Sequence, residues 1–264
     1  MRKSIYLFLF CSFFITQALI SQEFRKVENI AFKKGEKLKY RVYYDSWLTA
    51  GITAGIGTLS VKQGNKKFNG RSTFHIEVIG RSVGVFNLFF KVRDKFESFM
   101  DETALIPWYF IRRTREGSFK KDDDVTFNQI EHYAQSNNKK INIPPNVQDI
   151  VSSFYYLRNF DFDQIKNNEL SVNFYLDDTV YNSKISFFGK EVVETETGTF
   201  NCLKFSPMMA TGDVFDDPYP LSVWITDDKN HVPILLESKI IVGSVKIELI
   251  KYSGLANPLT SKIE

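Results

Sequence analysis

The chain has 264 residues, of which 34 are lysine or arginine and 31 are acidic, and its formal net charge is +3. Because the charges nearly balance, the net charge of the protein does not favour binding to nucleic acid or to an anionic membrane. A charged partner would have to bind a local patch of charge. With two cysteines and three histidines in a chain this long, stability must come from burial rather than from a disulfide framework.

Residues 1–21 have the features of a secretory signal peptide. A basic start (MRK) precedes an apolar run, and the small residue Ser21 stands just before the polar sequence QEFRK. The alternatives are a membrane anchor and a lipoprotein signal, but the run is shorter than the roughly 20 residues that a spanning helix needs. Cys11 lies inside the run, which disfavours lipidation. We therefore expect cleavage near Ser21 and an exported chain of residues 22–264, periplasmic or associated with the outer membrane.

The mature chain shows a period of two, which is typical of strands. In LKYRVYY, Leu38, Tyr40 and Val42 alternate with more polar residues, and FHIEVIG, LSVNFYL, SKISFFG, LSVWIT and VKIELIKY repeat the pattern between turn-rich connections. At least ten such segments predict a mainly-β fold with a large antiparallel, curved sheet or unclosed barrel. We expect one mainly-β domain over 22–264, or two strand lobes divided near residues 140–160.

Two apolar segments follow the first strand and are candidates for ligand binding. Trp47 and Ile52 lie in the glycine-containing stretch WLTAGITAGIG, where the backbone can approach a ligand closely. Phe86, Leu88 and Phe89 lie in VGVFNLFF, just before the charged KVRDK. If these residues are exposed, they form a docking or lipid-binding surface; the alternative is a buried helical turn and a core strand.

A later aromatic and basic run is a second candidate for binding. Trp108 and Arg113 lie in WYFIRRTREGSF, and aromatic rings beside arginines can bind sugars or anionic head groups. The alternative is that the arginines occupy the solvated face of a strand.

One segment has helical periodicity and is predicted to form a central helix over residues 147–158. Apolar residues recur at three- and four-residue intervals after the proline pair, with Asn146 as the expected N-cap and Asp149 in a capping-box position. Arg158 at the end of the helix is expected to act as a C-terminal cap or to pair with a carboxylate under the sheet. The residues expected to have structural roles here are Asn146, Asp149, Phe154, Tyr155 and Arg158.

The sequence contains no catalytic signature that we could assign. The three histidines are far apart, Cys202 alternates with apolar residues as a core thiol would, and the Asp-Asp doublets are typical of turns. We therefore predict no catalytic residue, no metal and no cofactor.

Four sequence blocks, taken in order, resemble a known family. They are FKKGEKLKYRVYY, QDIVSSFYYLR, GKEVVETETGTFNCLKFSP and VWITDDKNHVPILLESKIIVGSVKIEL. Together they resemble the domain of unknown function 3108 family of secreted bacterial proteins, over nearly all of the mature chain. The resemblance implies an all-β periplasmic protein with no settled role, and it carries over no catalytic residues. More loosely, the architecture is similar to LolA/LolB-like lipoprotein carriers, in which a curved sheet wraps a helix and encloses an apolar cleft.

Three functions from different classes follow. The first is a non-enzymatic binding protein for an apolar ligand such as a lipid or acyl chain, with a cleft lined by Trp47, Phe86, Leu88 and Phe89. The second is an accessory subunit of an outer-membrane or surface-glycan complex. The third is an envelope hydrolase, which would need titratable groups that converge in a cleft. The scarcity of reactive residues favours the first, with an apolar ligand or an envelope protein as partner and no nucleic acid.

Overall fold

The computed structural model describes residues 24–45, 51–162, 165, 168–208, 221–239 and 244–263. The predicted signal peptide, with its cleavage site near Ser21, lies outside these residues, as does Trp47.

The elements of the described chain are mostly strands. The strands are β1 (Lys37–Asp45), β2 (Thr53–Val61), β3 (Lys67–Phe68), β4 (Arg71–Ser82), β5 (Arg93–Asp101), β6 (Pro107–Glu116), β7 (Phe119–Asn128), β8 (Tyr133–Gln135), β9 (Lys140–Asn142), β10 (Gln148–Asp149), β11 (Glu169–Leu176), β12 (Thr179–Thr195), β13 (Gly198–Pro207), β14 (Leu221–Thr226), β15 (Pro233–Lys239) and β16 (Ser244–Ser253). The helices are α1 (Phe86–Phe89) and α2 (Ile150–Leu157).

The strands form one large sheet whose order is β10-β11-β12-β13-β14-β15-β16-β1-β2-β4-β5-β6-β7-β8-β9, with β3 paired to β4. Neighbours along this order are antiparallel except for the short parallel pair of β10 and β11. Register shifts in β1, β5, β12 and β14 mark bulges, which bend a sheet and increase its twist. The prediction of a mainly-β fold with a large, unclosed antiparallel sheet is confirmed.

The sheet curls until its two ends approach each other. The edge strands β9 and β10 share no backbone ladder in the described residues, but side chains bridge the gap. The ring of Phe127 on β7 packs edge-on against Tyr175 on β11, with centroids 5.5 Å apart. Gln129 Nε2 donates to the carbonyl of Val147 at 3.2 Å. Helix α2 therefore lies inside a nearly closed β structure, where it contacts β4, β5, β10 and β11.

The predicted helix is present but shorter than residues 147–158. It begins at Ile150, because the two residues before it pair with β11 as β10. The prediction that Asn146 is the N-cap is wrong: Asn146 lies in the preceding turn with a φ of 60°, and Asp149 caps the helix. Asp149 caps the helix because its carboxylate accepts the free N–H groups of the first turn. Asn146 lies three residues earlier in the chain than this cap.

Among the described residues, neither helix has the length and apolar character needed to cross a lipid bilayer.

Candidate functional site

The start of helix α2 is fixed to the inner face of the sheet by Asp149. Its Oδ1 accepts the N–H groups of Val151 and Ser152, both at 2.7 Å, while Ser152 Oγ accepts the N–H of Asp149 at 2.8 Å. This reciprocal arrangement is a capping box. Ser98 Oγ on β5 donates to Asp149 Oδ2 at 2.6 Å. The cap therefore ties the helix to strand β5 as well as satisfying its first turn.

The end of helix α2 is fixed by a buried ion pair. Arg158 Nη1 and Nη2 donate to the two carboxylate oxygens of Glu36 at 2.6 and 2.8 Å, and both side chains are almost wholly buried. The same guanidinium donates to the carbonyls of Ala31 and Asn230, each at 3.1 Å. Because a buried guanidinium needs all of these acceptors, the helix has little freedom to shift along the sheet.

An apolar groove lies between helix α2 and strands β2, β4 and β5. Its volume is about 240 Å³, and it is open to solvent along one side. Across the strands, Leu59 pairs with Val78 and Val78 pairs with Phe96, so the three side chains form one row on the inner face. The lining residues are Leu59, Val78, Phe96, Ile150, Val151, Phe154 and Tyr155.

On the helix side of the groove, the spacing of residues along α2 explains which side chains line it. Ile150 and Phe154 are four residues apart, so they lie one above the other on the same helix face. Ile150 is 41% exposed, although it is one of the most apolar residues of the helix. The groove is therefore a cleft that the protein core leaves unfilled.

Beyond Leu59 and Val78, strands β2 and β4 each have a glycine on the inner face of the sheet. Gly57 and Gly80 face each other across β2 and β4, and both lie two residues further along from the row of groove residues. An added Cβ would make only ordinary contacts, at 3.8 Å from Tyr40 Cβ for Gly57 and 3.9 Å from Asp94 Cβ for Gly80. These positions therefore have room for a side chain that the sequence does not supply, and they lie between the row of groove residues and the β4–β5 connection.

A charged cluster borders the groove on the other side. The guanidinium carbon of Arg112 on β6 lies 5.8 Å from the ring centroid of Phe96. Arg112 Nη1 donates to Asp177 at 2.9 Å and Nε donates to Thr114 Oγ1 at 3.0 Å, while Lys121 pairs with the same Asp177. A ligand with an apolar chain in the groove would have polar contacts within reach at this edge.

Two carboxyl groups in this cluster have raised pKa values. Burial, and next the Asp94 carboxyl beside it, raises the pKa of Glu116. Burial, and next the nearby Asp178, raises the pKa of Asp123, which is nearly wholly buried on β7. The cluster thus holds carboxyl groups that bind protons more readily than free ones do.

Trp108 and Arg113, predicted to bind ligands, do not line the groove. Trp108 is only 1% exposed, and its Nε1 donates to Asp101 Oδ2 at 3.0 Å, so the prediction that it stacks on a ligand is wrong. The indole is enclosed because its ring also packs edge-on against Phe24. Arg113 is paired with Asp124 at 2.8 Å on the neighbouring strand β7.

The other predicted ligand-binding residues lie at the end of the sheet. Ile52 precedes β2 and is exposed, and Phe86, Leu88 and Phe89 form the exposed helix α1. Phe86, Leu88 and Phe89 do not line the groove, and as part of the exposed helix α1 they correspond to the alternative of an exposed docking or lipid-binding surface. Phe154 and Tyr155, predicted to be structural, both line the groove.

Sequence reasoning did not assign Leu59, Val78, Phe96 or Ile150 to a site. Alternation places Leu59, Val78 and Phe96 on an apolar face, and helical spacing does the same for Ile150, but neither pattern distinguishes a filled core from an open cleft. The available signal was the run of glycines at alternate positions, Gly55 and Gly57, directly before Leu59.

Among the described residues, the side chains of Cys202 and His231 are largely buried and are not activated for catalysis. Burial raises the pKa of the Cys202 thiol to about 12, the opposite of what a nucleophile needs. Burial lowers the pKa of His231, whose Nδ1 lies 2.6 Å from the carbonyl oxygen of Arg158. Within the described ranges, histidine, cysteine and carboxylate groups do not cluster in threes that could hold a metal ion.

A family model described as a protein of unknown function, DUF3108, matches residues 39–250 of the chain. A comparison with curated proteins gives no match.

Solved structures share the fold at low sequence identity. A β-barrel-like protein of the domain of unknown function DUF1849 from Brucella abortus superposes with a TM-score of 0.54 and 10% identity, covering 88% of this chain and 98% of that one. A candidate lipoprotein from Parabacteroides distasonis gives a TM-score of 0.38 and 12% identity, covering 88% and 100%. A candidate exported protein with a YmcC-like fold from Bacteroides fragilis gives 0.31 and 12%, covering 86% and 99%. The first of these likenesses shows the fold alone.

Proposed function

The chain belongs to the DUF3108 family of proteins of unknown function, and we propose that it is a non-enzymatic protein of the bacterial envelope that holds the apolar chain of a lipid in its groove. The observation that carries this proposal is the open cleft between α2 and strands β2, β4 and β5, which is lined throughout by apolar side chains and the ring of Tyr155. An apolar surface of this kind gains free energy when a hydrocarbon displaces water from it.

The size of the groove limits the ligand. At about 240 Å³ it is smaller than the roughly 300–1,000 Å³ typical of sites that enclose a drug-sized molecule. A single acyl chain, lying along the groove and over Gly57 and Gly80, fits this shape better than a compact ring system does. Its polar end would lie near the cluster of Arg112 and Asp177.

The chemistry of the groove supports binding rather than catalysis. Its one titratable group is the Tyr155 phenol, whose pKa burial raises well above the ordinary value of 10.0. A hydrolase would need a nucleophile or an activated water held by an acid and a base. An exported location, as the leader predicts, gives such a protein access to lipids of the envelope.

The test is a fluorescence titration of purified protein with cis-parinaric acid, comparing wild type with Ile150→Glu. Residue 150 is the first residue of α2, where a negative charge is favourable to the helix, so the variant should fold. A charged group at the mouth of the groove should weaken binding about tenfold or more, because the carboxylate must be desolvated when the chain binds.

Ser153→Glu is the matched control. It adds the same charge to the same helix, three residues later, at a position that does not line the groove. We expect it to bind like wild type. Equal affinities for wild type and Ile150→Glu, or no saturable binding to wild type, would contradict the proposal.

A further inference from the structure

The connection between β4 and β5 exposes its apolar residues, whereas its polar residue, Asn87, is half-buried. Leu88 is 81% exposed and Phe89 is 85% exposed. The hydrophobic effect favours burying such side chains, because a cluster of large apolar groups costs free energy when it is exposed to water. We use the term apolar tip for this surface, whose residues are Val85, Phe86, Leu88, Phe89, Phe90 and Phe119.

Asn87 holds the tip in this form. Its Oδ1 accepts hydrogen bonds from Ser82 Oγ at 3.1 Å and from Arg93 Nη2 at 2.8 Å, while Ser82 Oγ also accepts the N–H of Val92 at 2.9 Å. The polar side chain of the turn is therefore used to anchor it to the ends of β4 and β5. This anchoring turns the neighbouring side chains of Leu88 and Phe89 outward.

A second turn completes the tip. The N–H of Gly117, in the β6–β7 turn, donates to the carbonyl of Lys91 at 2.9 Å. The ring of Phe90 lies so close that a Cβ on Gly117 would be 2.9 Å from it. Phe119, two residues further on, is 51% exposed beside it. The apolar residues thus come from two turns that contact each other.

Cations flank the apolar tip. Lys91, Arg93 and Lys120 are exposed, and none of the ion pairs among the described residues involves them. Arg93 is bound to Asn87 and to backbone carbonyls instead of to a carboxylate. An exposed apolar surface beside cations that form no ion pair with the described residues complements a bilayer whose interior is apolar and whose head groups are anionic.

We propose that the apolar tip inserts into the surface of a membrane that carries anionic head groups, with Lys91, Arg93 and Lys120 at the level of the phosphates. This inference goes beyond ligand binding in the groove and does not depend on it. The combination favours a bilayer, because a membrane supplies both an apolar interior for the tip and anionic head groups for these cations.

The test is flotation of the purified, exported protein with vesicles of phosphatidylcholine alone and of phosphatidylcholine mixed with phosphatidylglycerol. Wild type should bind the mixed vesicles more tightly, and added salt should weaken that preference. The double variant Leu88→Glu, Phe89→Glu should lose about tenfold or more in affinity for both vesicles. The double variant Lys91→Gln, Lys120→Gln should lose only the preference for the anionic lipid.

Val192→Glu is the matched control, because Val192 on β12 is also exposed, at 63%, and lies outside the tip. Circular dichroism and thermal unfolding check that every variant is folded, which exposed substitutions should allow. Failure of wild type to float with either vesicle, as expected for a tip that binds a protein, would overturn the proposal. Equal losses for Val192→Glu and for the Leu88, Phe89 variant would overturn it as well.

Discussion

Asp149 is the residue in which the requirements of the helix and of the core conflict most directly. Its carboxylate accepts three hydrogen bonds, from Ser98 and from the N–H groups of Val151 and Ser152, yet the side chain is fully buried. Burial raises its pKa from the ordinary 3.8 to about 6, and the hydrogen bonds offset only part of that effect. The folded protein therefore binds a proton at Asp149 more tightly than the unfolded chain does.

This raised pKa predicts a pH dependence of stability. Because the pKa is higher in the folded state, the stabilisation is fully present below about pH 4 and is lost as the pH rises through about 6. Between those values the contribution of Asp149 to the free energy of unfolding should fall by about 2 kcal/mol. Asp149→Asn, which keeps a good N-cap, should remove this dependence.

The measurement is urea unfolding of wild type and Asp149→Asn from about pH 4 to pH 7. The stability of wild type relative to the variant should decrease steadily over this range. A difference between the two proteins that stays constant with pH would show that Asp149 has an unshifted pKa.

Asp149 also shows how far single residues could be predicted. The sequence placed a capping box in the right segment but assigned the N-cap to Asn146, because an Asn-Val start fits the apolar spacing as well as an Asp-Ile start does. The helix starts later because Gln148 and Asp149 pair with β11 as a strand. Local sequence does not reveal this contact. Trp108 was mistaken for the same reason, since its partner Asp101 lies on another strand.

At the scale of elements, the junction between β1 and β16 joins the two halves of the chain. Gly254, directly after β16, has a φ of 69°, and a Cβ there would lie 2.3 Å from the carbonyl oxygen of Gly35, just before β1. Gly35 donates its N–H to Val61 at the end of β2. This close approach of two backbones is possible only without a side chain.

We predict that Gly254→Ala destabilises the protein by about 3 to 5 kcal/mol, from left-handed backbone strain and from the clash with Gly35. Gly70→Ala is the matched control: Gly70 also has a positive φ, 76°, but nothing lies within 4 Å of the added Cβ. It should cost only about 1–2 kcal/mol. Similar free energies of unfolding for the two variants would contradict the role assigned to the junction.

The elements were predicted best where burial on one face imposes a period. LKYRVYY forms β1 and LSVNFYL forms β11, as their alternation predicts. The polar stretch HYAQSNNKKIN contains the hairpin of β8 and β9, which the period-two pattern did not predict. Only Ala134 of β8 is buried, so this hairpin has no apolar alternation by which it could be recognised.

At the scale of the whole molecule, the protein combines a rigid helix, an open apolar groove beside it and an apolar tip at one end of the sheet. The helix is fixed at both ends, by Asp149 and by the buried pair of Arg158 and Glu36. Gly57 and Gly80 lie on the inner face between the row of groove residues and the β4–β5 connection that carries the tip. A lipid-binding protein that exchanges its ligand with a membrane would use these parts together.

The sequence could predict the unclosed sheet and its central helix, because both follow from periodicity within single segments. It could not predict the groove, because the groove depends on which apolar residues of β2, β4, β5 and α2 remain uncovered after the sheet curls. The segment that forms the apolar tip was recognised, but the sequence left open whether it is exposed or buried. Its exposure depends on Asn87, whose inward hydrogen bonds involve residues of two strands.

Photo-crosslinking with a fatty acid that carries a photoreactive group at the end of its chain tests the central claim most directly. After irradiation and proteolysis, mass spectrometry locates the label. We predict labelled peptides that contain Leu59, Val78, Phe96 or Phe154, with labelling suppressed by excess unlabelled fatty acid and reduced in Ile150→Glu. Label confined to the apolar tip, or spread over the surface without competition, would contradict the proposal that the groove holds an apolar chain.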